Sequence, residues 1–562
     1  MARHSGTPWV GLAIALTLAS ATLAEWNNDP NKNLPIADLV FDQVQPKLVA
    51  TSDGGCYISW FDNTSGGYDV YLQRLDAHGN ELWGHNGVLV ADRSFSSTQD
   101  YGLDVDSDGH ALLVFRDDRS GTTQVTASKV DVDGTLVWGT AGVQLSSGSA
   151  FFASPKIAGT SDGGSVVGWI RDSDTRLQKL DSSGSPLWGS GVTLADDSGG
   201  SFGLSDIKAS DGVNVVVSWV RQGPNFYDPR HIWAQKFSGS GTELWAKTHV
   251  RVFDGGSIQF GNFPTFVSDG GGGAVFSWYS TSPLQCYAQR VLANGSEAFV
   301  HNGVAASTNA AGARVSPDAS FNAATQEVFL FWTEMNSTQS QWGVYGQKIA
   351  SDGLRQWTDT GKVLVPVGGT SMTQVSTEPS ADGALVFYVE ALATGNDRLY
   401  ATRVDASGDA VWSPSIVTAS SVVSGKGSLE TALSSRGFAV LAWSDDRVGD
   451  RDVFAQNVNA DGTLGPACDL FLDGTGPTTL DFPPPFHVAA GWLSDLTAGG
   501  NFSLAACAGE FAESPSADPL EDPPTGDGRY YLSRGVARCL TYGDSSLDPD
   551  PRDDLDAADP CP

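Results

Sequence analysis

Methionine occurs only 3 times in 562 residues, and no long apolar stripe develops at helical spacing. A core built from amphipathic helices is therefore excluded, and an all-β chain is expected. Basic residues are outnumbered: Lys and Arg total 33 against 65 Asp and Glu, for a net charge of −32. Such a surface repels phosphate backbones and anionic lipids, so neither nucleic acid nor a membrane surface is an expected partner. Past the N-terminus no apolar run is long enough to cross a bilayer. The 8 histidines are scattered, and none forms a metal-spaced pair with another His or Cys.

What is abundant is turn-forming and aromatic. The chain has 65 glycines and 17 tryptophans with only 17% charged residues, a composition of many turns and much aromatic packing. The N-terminus "MARHSGTPWVGLAIALTLASATLAEW" sets Arg3 and His4 before an apolar stretch and then small residues at Ala19, Ala21 and Ala24. This pattern predicts a signal peptide over residues 1–24 and an exported protein, secreted, periplasmic or on the cell surface. Disulfides are then permitted. Cys56 and Cys286 lie inside strand patterns and read as buried apolar residues; Cys507, Cys539 and Cys561 share the C-terminal region, where one bridge plus a leftover thiol, or pairing with Cys468, are both open.

The phrase "VYLQRLDAHGNELWGHNGVLV" returns as "ASKVDVDGTLVWGTAGVQL", "LQKLDSSGSPLWGSGVTL" and "ATRVDASGDAVWSPSIV". Aligned on its final aromatic, the chain shows eight units anchored at Trp83, Trp138, Trp188, Trp245, Phe299, Trp357, Trp412 and Leu464, spaced about fifty to sixty residues apart. A second column, Trp60, Phe115, Trp169, Trp219, Trp278, Trp332, Tyr388 and Trp443, moves with the first. Each unit reads as four strands, A to D. Strand B is apolar on both faces, as it must be when sheets are stacked between sheets. Strand C carries Gln73, Gln178, Gln235, Gln289, Gln347 and Gln456 at one fixed place, which reads as a hydrogen bond repeated in each unit. The predicted fold is all-β: an eight-bladed β-propeller over residues 25–470. Unit eight lacks its aromatic, and Trp26 to Asp38 matches a final strand with nothing before it, so this N-terminal strand is expected to close the ring beside strand C of unit eight, near Asp452 to Asn459.

The phrase "LDAHGNELW" resembles the tryptophan-docking repeat of quinoprotein-like propellers, with a turn one residue shorter, and is similar to sialidase Asp-boxes apart from their spacings. The docking-repeat resemblance implies a Trp wedged between blades. It does not imply quinone chemistry, since the adjacent cysteine pair of quinone-dependent dehydrogenases is missing. The run "VYLQRLDAHGNELWGHNGVLVA" is similar to repeats of uncharacterised secreted bacterial proteins, which implies an extracellular propeller and names no activity. After the repeats, "DFPPPF" predicts a linker over 471–486. Residues 487–562 resemble a small β-rich module at the ends of many exported bacterial proteins, and that resemblance implies a fibronectin-III-like strand at "GRYYLSRGVARC".

Two chemical motifs dissolve on inspection. "GTSDG" at Gly159 to Gly163 matches a serine-nucleophile pattern, yet it fills the A to B turn and no helix follows. "DVDSDG" from Asp104 begins like a calcium loop but has Phe115 where a bidentate Glu belongs, so a turn is favoured and calcium stays possible; no other cofactor is expected. The B to C and D to A connections are long and unlike one another, and variable loops on a rigid ring are where binding resides. The candidate ligand-binding residues there are Asp62, Arg116, Asp117, Arg171, Arg221, Tyr227, His231, Tyr279, Glu334, Glu390, Asp445 and Arg447. No catalytic set converges. The expected function is non-catalytic binding of an extracellular protein or polysaccharide by a monomer. The alternative is a glycoside hydrolase or lyase whose carboxylates, Asp62, Asp117, Glu334, Glu390 and Asp445, reach the central channel mouth.

Overall fold

The computed structural model describes residues 25–466 apart from 96–97, 99, 247–248 and 393–394, and shorter stretches between 471 and 561. The expected signal segment, 1–24, lies outside the described residues. Eight four-stranded antiparallel sheets follow one another along the chain. In blade 1 they are Gln43–Ala50, Cys56–Asp62, Asp69–Leu75 and Val88–Ala91, strands A to D in order. The apolar residues gather into one buried cluster per seam, eight in all, each joining neighbouring blades and the eighth joining blade 8 to blade 1. The fold is an eight-bladed β-propeller. Strand B is its spine: all seven residues of Cys56–Asp62 and of Ala439–Asp445 are buried, because a sheet lies on either side.

The repeated phrase is the seam itself. In the C to D turn an Asp side chain accepts the next backbone amides, as Asp76 Oδ1 does from His78 N (2.8 Å) and Asn80 N (2.9 Å), and a glycine at positive φ completes the bend. That glycine has a second duty. The anchoring ring of the preceding blade lies against it, so that a Cβ on Gly295 would fall 2.5 Å from Trp245 and one on Gly79 would fall 2.6 Å from Trp26. The indole N–H then donates to a carbonyl of the same turn: Trp83 to Val132 (3.1 Å), Trp188 to Gly239 (2.9 Å), Trp357 to Ala406 (3.0 Å), Trp412 to Ala460 (2.9 Å). Each blade is thereby docked onto the next.

The glutamine column holds the anchor in place from behind. Gln347 Nε2 donates to Thr358 O at 2.6 Å while its Oε1 accepts from Trp357 N at 3.0 Å, and Gln289 does the same around Phe299. In blade 8 the bond from Gln456 Nε2 goes instead to Asn27 O, at 2.9 Å, directly after Trp26. Trp26 donates to Ala77 O at 3.0 Å, the bond an anchor of blade 8 would make on blade 1. Downstream of it Leu34–Ala37 pairs antiparallel with Asp452–Val458, Leu34 opposite Ala455 and Pro35 opposite Phe454. The N-terminal segment therefore completes the last sheet and removes two open edges.

Cys56 and Cys286 are buried free thiols, and Cys507 is bridged to Cys561; Cys468 and Cys539 lie outside the described residues. The stretch 471–486, expected to be a linker, contributes strands Phe471–Asp473 and Thr479–Asp481. Phe486–Trp492 forms the middle of a second three-stranded sheet, between Ala506–Phe511 and Arg529–Gly535. The C-terminal region is fastened to the ring where the ring closes: Asp481 binds His78 of blade 1 (2.8 Å) and Arg436 of blade 8.

Replacing the buried Trp26 with Ala removes both the seam ring and its hydrogen bond and is expected to cost about 3–5 kcal/mol, read as a lower urea midpoint. Leu464→Ala, at the equivalent place in blade 8, should cost clearly less. Equal losses would show that the N-terminal ring is not the anchor of that blade.

Candidate functional site

The face carrying the B to C and D to A connections begins at the end of strand B. Residues two apart in a strand share a face, so the residue two after the strand B aromatic stands beside that ring. There Trp443 Nε1 donates to Asp445 Oδ2 (2.8 Å) and Trp332 Nε1 to Glu334 Oε2 (2.7 Å). The other oxygen caps the turn, as Asp62 Oδ1 accepts from Thr64 N (2.9 Å) and Asp445 Oδ1 from Arg447 N (3.0 Å). A cation then sits on the same carboxylate: Arg119 on Asp117 (2.8 Å), Arg314 on Glu334 (2.9 Å), Arg447 and Lys426 on Asp445 (2.6 and 3.2 Å). Burial works against ionisation of Asp445, yet Arg447 and Lys426 hold it down at about 2. In Glu334 burial outweighs Trp332 and Arg314 and the acid is raised. Glu390 stands opposite Arg398 in the ladder of strands B and C. Four of the carboxylates expected at the channel mouth, Asp62, Asp117, Glu334 and Asp445, are thus tied into their own blades.

The remaining candidates form the outer surface of that face. Tyr227 is 84% exposed beside Phe226, whose ring lies 5.4 Å from that of Phe260. Arg221 is paired with Asp196 (2.9 Å) and lies over Trp233; Arg447 stacks on Phe454 at 3.8 Å; Tyr279 donates to Gln259 (2.6 Å). His231 is half-buried, and that burial lowers its pKa. Arg116 packs against Phe95 at 4.5 Å, and Arg171 is exposed.

A second group of polar residues lies on the axis, where the expected candidates are not. Strand A breaks register at one recurring place, between Val44 and Lys47, Ala153 and Lys156, Val315 and Asp318, Thr373 and Ser376, and Gly427 and Glu430. Gln45, Ser154, Ser316, Gln374 and Ser428 take positive φ there. The bulge re-aims the residues that follow. Side chains of different blades consequently meet: Lys47 binds Glu430 (2.9 Å) and Asp100 (3.4 Å), and Lys156 binds the same Asp100. Asp100 is held at about 2, its burial outweighed by those two lysines.

The lysines crowd blades 1, 3 and 4. On the other side a cavity of about 370 Å³ is lined from blades 5 to 8, with Asp318, Ser376, Glu378 and Thr431 among its walls. A hydrogen-bond chain crosses it: Ser376 to Asp318 (3.2 Å), Ser376 with Thr431 (2.8 Å), Thr431 to Glu378 (2.8 Å). Burial raises Asp318 to about 6 and Glu378 to about 7, and the charge of Asp318 adds to the shift of Glu378. Two carboxyls that trade protons near neutrality can donate and accept hydrogen bonds to a polar ligand or move a proton. The signal for Asp318 in the chain was the charged residue after the proline of strand A, in "QPK", "SPK" and "SPD"; the equivalent place in blade 7 is Ser376, and Glu378 follows it by two positions in "VSTE".

Asp106, Asp108 and His110 are close enough to hold an ion in the turn read as a possible calcium loop. Lys129 Nζ already stands 2.5 Å from Asp106 Oδ2, and His110 Nδ1 stands 3.0 Å from the same atom. A resident ammonium does there what an added cation would do.

No protein-family model matches the chain, and no curated protein matches it. Among solved structures it is similar to an ulvan lyase described as a new family of polysaccharide lyase, at 12% identity and TM-score 0.40 over 66% of this chain and 95% of that one. It is similar also to an α-L-arabinanase of Penicillium chrysogenum complexed with arabinobiose, at 10% identity and TM-score 0.37 over 77% and 99%, and to dipeptidyl peptidase 4 of Porphyromonas gingivalis, at 12% and 0.42 over 80% and 67%. None of the three carries its activity over to this chain.

The raised carboxyls set a pH dependence. Unfolded Asp and Glu titrate near 4, so between that value and about 7 the native state holds more protons, and their contribution to stability is complete at low pH and declines as pH rises. The pair Asp318→Asn and Glu378→Gln is therefore expected to gain about 1–3 kcal/mol at pH 8 and nothing at pH 4, read from urea midpoints. The same gain at both values would contradict the raised titrations.

Proposed function

We propose that this chain is an exported, non-catalytic propeller that binds a polysaccharide or a protein through the face of its B to C and D to A connections, with the C-terminal module as spacer or surface-association element. The observation that carries this reading is the division of labour on that face. Asp62, Asp117, Glu334 and Asp445 are spent on turns and neighbouring cations, whereas Tyr227, Phe226 and Phe260 stand out at 84%, 71% and 63% exposure. Large rings left in water on loops over a rigid ring favour recognition. Screening the mature protein on a glycan array and in pull-downs is expected to yield a ligand whose affinity falls about tenfold or more in Tyr227→Ala with Phe260→Ala. No ligand in either screen, or one indifferent to both changes, would remove the reading.

A second reading, a glycoside hydrolase or lyase, is favoured by one observation, the buried Asp318 and Glu378 joined through Ser376 and Thr431 in the channel cavity, where burial raises both carboxyls. It requires turnover of a polysaccharide that Glu378→Gln abolishes. New reducing ends would mark hydrolysis and new unsaturated ends would mark elimination; neither being formed by the unaltered protein would exclude it.

A further inference from the structure

On the loop face of blades 2 to 4 Asp197 is exposed and without a partner among the described residues, whereas four other carboxylates are engaged. Asp117 holds Arg119, Asp118 accepts from Ser94 Oγ (2.7 Å), Asp172 accepts from Phe151 N (3.0 Å), and Asp196 holds Arg221. Three arginines of the same region are without an acid partner. Arg116, Arg171 and Arg230 have no carboxylate within 4.0 Å among the described residues, in a chain where acids outnumber bases 65 to 33. Arg116 is the clearest case. Its Nε is buried without a hydrogen-bond partner, and desolvation alone, with no compensating charge, lowers its pKa. It is held between Phe95 (4.5 Å) and Phe151 (5.7 Å), and Phe151 is 54% exposed. Arg230 repeats the arrangement, over Phe260 (4.8 Å) and Phe226 (5.6 Å), tied only to Gln222 Oε1 and Phe226 O.

These positions are continuous along the face. Arg116 reaches the ring of Phe151, Phe151 is bonded through its backbone to Asp172 beside Arg171, and Ser173 O accepts from Phe202 N of blade 4, whose neighbour Ser201 pairs with Gln222 and Gln222 in turn with Arg230. An aromatic ring beneath a guanidinium fixes its plane and leaves its outer edge to donate, and the matching acceptor is a carboxylate. A protein partner would call for one contiguous apolar core, whereas here the rings stand in two separate pairs, Phe95 with Phe151 about Arg116 and Phe226 with Phe260 about Arg230. A flexible chain that repeats both a charge and an apolar ring face fits such spacing.

Resting on the binding role proposed above, we infer that this strip from Arg116 through Arg171 to Arg230 binds an acidic, uronate-bearing polysaccharide.

The test compares polygalacturonate, the same polymer after its carboxyls are reduced to alcohols, and poly-L-glutamate by calorimetry with the unaltered protein, at about 50 and 200 mM salt. Polygalacturonate should bind and weaken with salt. The reduced polymer should bind about tenfold or more less tightly, and Arg116→Gln with Arg230→Gln should cost about tenfold with polygalacturonate at unchanged melting temperature. Should that variant misfold, the comparison of the two polymers on the unaltered protein still decides. Equal affinity for the charged and reduced polymers, with sensitivity to Tyr227→Ala, would overturn the acidic specificity and leave the binding role standing. Tighter binding of poly-L-glutamate than of polygalacturonate would overturn it in favour of an acidic protein. If none of the three binds and array and pull-down are also empty, both proposals fall.

Discussion

The whole ring depends on one repeated contact, at seven seams an indole lying on the glycine of the next blade's turn with its N–H on that turn's carbonyl, and at the eighth the ring of Phe299 on Gly353. Three requirements meet in it. The turn needs positive φ, the ring needs a surface without a Cβ, and the buried N–H needs an acceptor, and a glycine set after an Asp-capped bend supplies all three. Because the contact is between units and not within one, no blade can satisfy its own tryptophan. The chain must keep adding blades until the last one meets the first.

That closing step is where the pattern would have failed without its N-terminal segment. Blade 8 ends on Leu464 with no ring to offer, and Trp26, Asn27 and Leu34–Ala37 provide the ring, the carbonyl for Gln456 and the fourth strand. The seam so made is also where Asp481 reaches both His78 and Arg436. Closure thus rests on residues from both ends of the chain, brought together by hydrogen bonds and ion pairs.

A wall this regular releases its loops and its axis for other work. The acids at the strand B ends look chemical in the sequence, but Glu334 and Asp445 belong to the scaffold: the period of two places them against the indoles of Trp332 and Trp443, and a turn places the other oxygen of Asp445 on a backbone amide. The axial residues look bland in the sequence, single charges in short strands, and become a converging group only because a bulge turns strand A inward in blade after blade. The two kinds of residue exchange their apparent roles once the ring is assembled.

The two aromatic columns, the glutamine column and the orphaned Trp26 were legible in the chain because each is a contact repeated at fixed spacing, and repetition survives without knowledge of geometry. Fold class, blade number and the place of closure followed from them. Which carboxylates stand alone and which are neutralised was not legible, since a residue's counter-ion comes from another strand or another blade, as Arg314 does for Glu334 and Lys47 for Glu430. The same holds for the unpaired state of Arg116 and for the raised titration of Glu378. Periodicity is a property of the chain and can be read along it, whereas burial and charge balance are sums over neighbours in space, which exist only after the ring has closed.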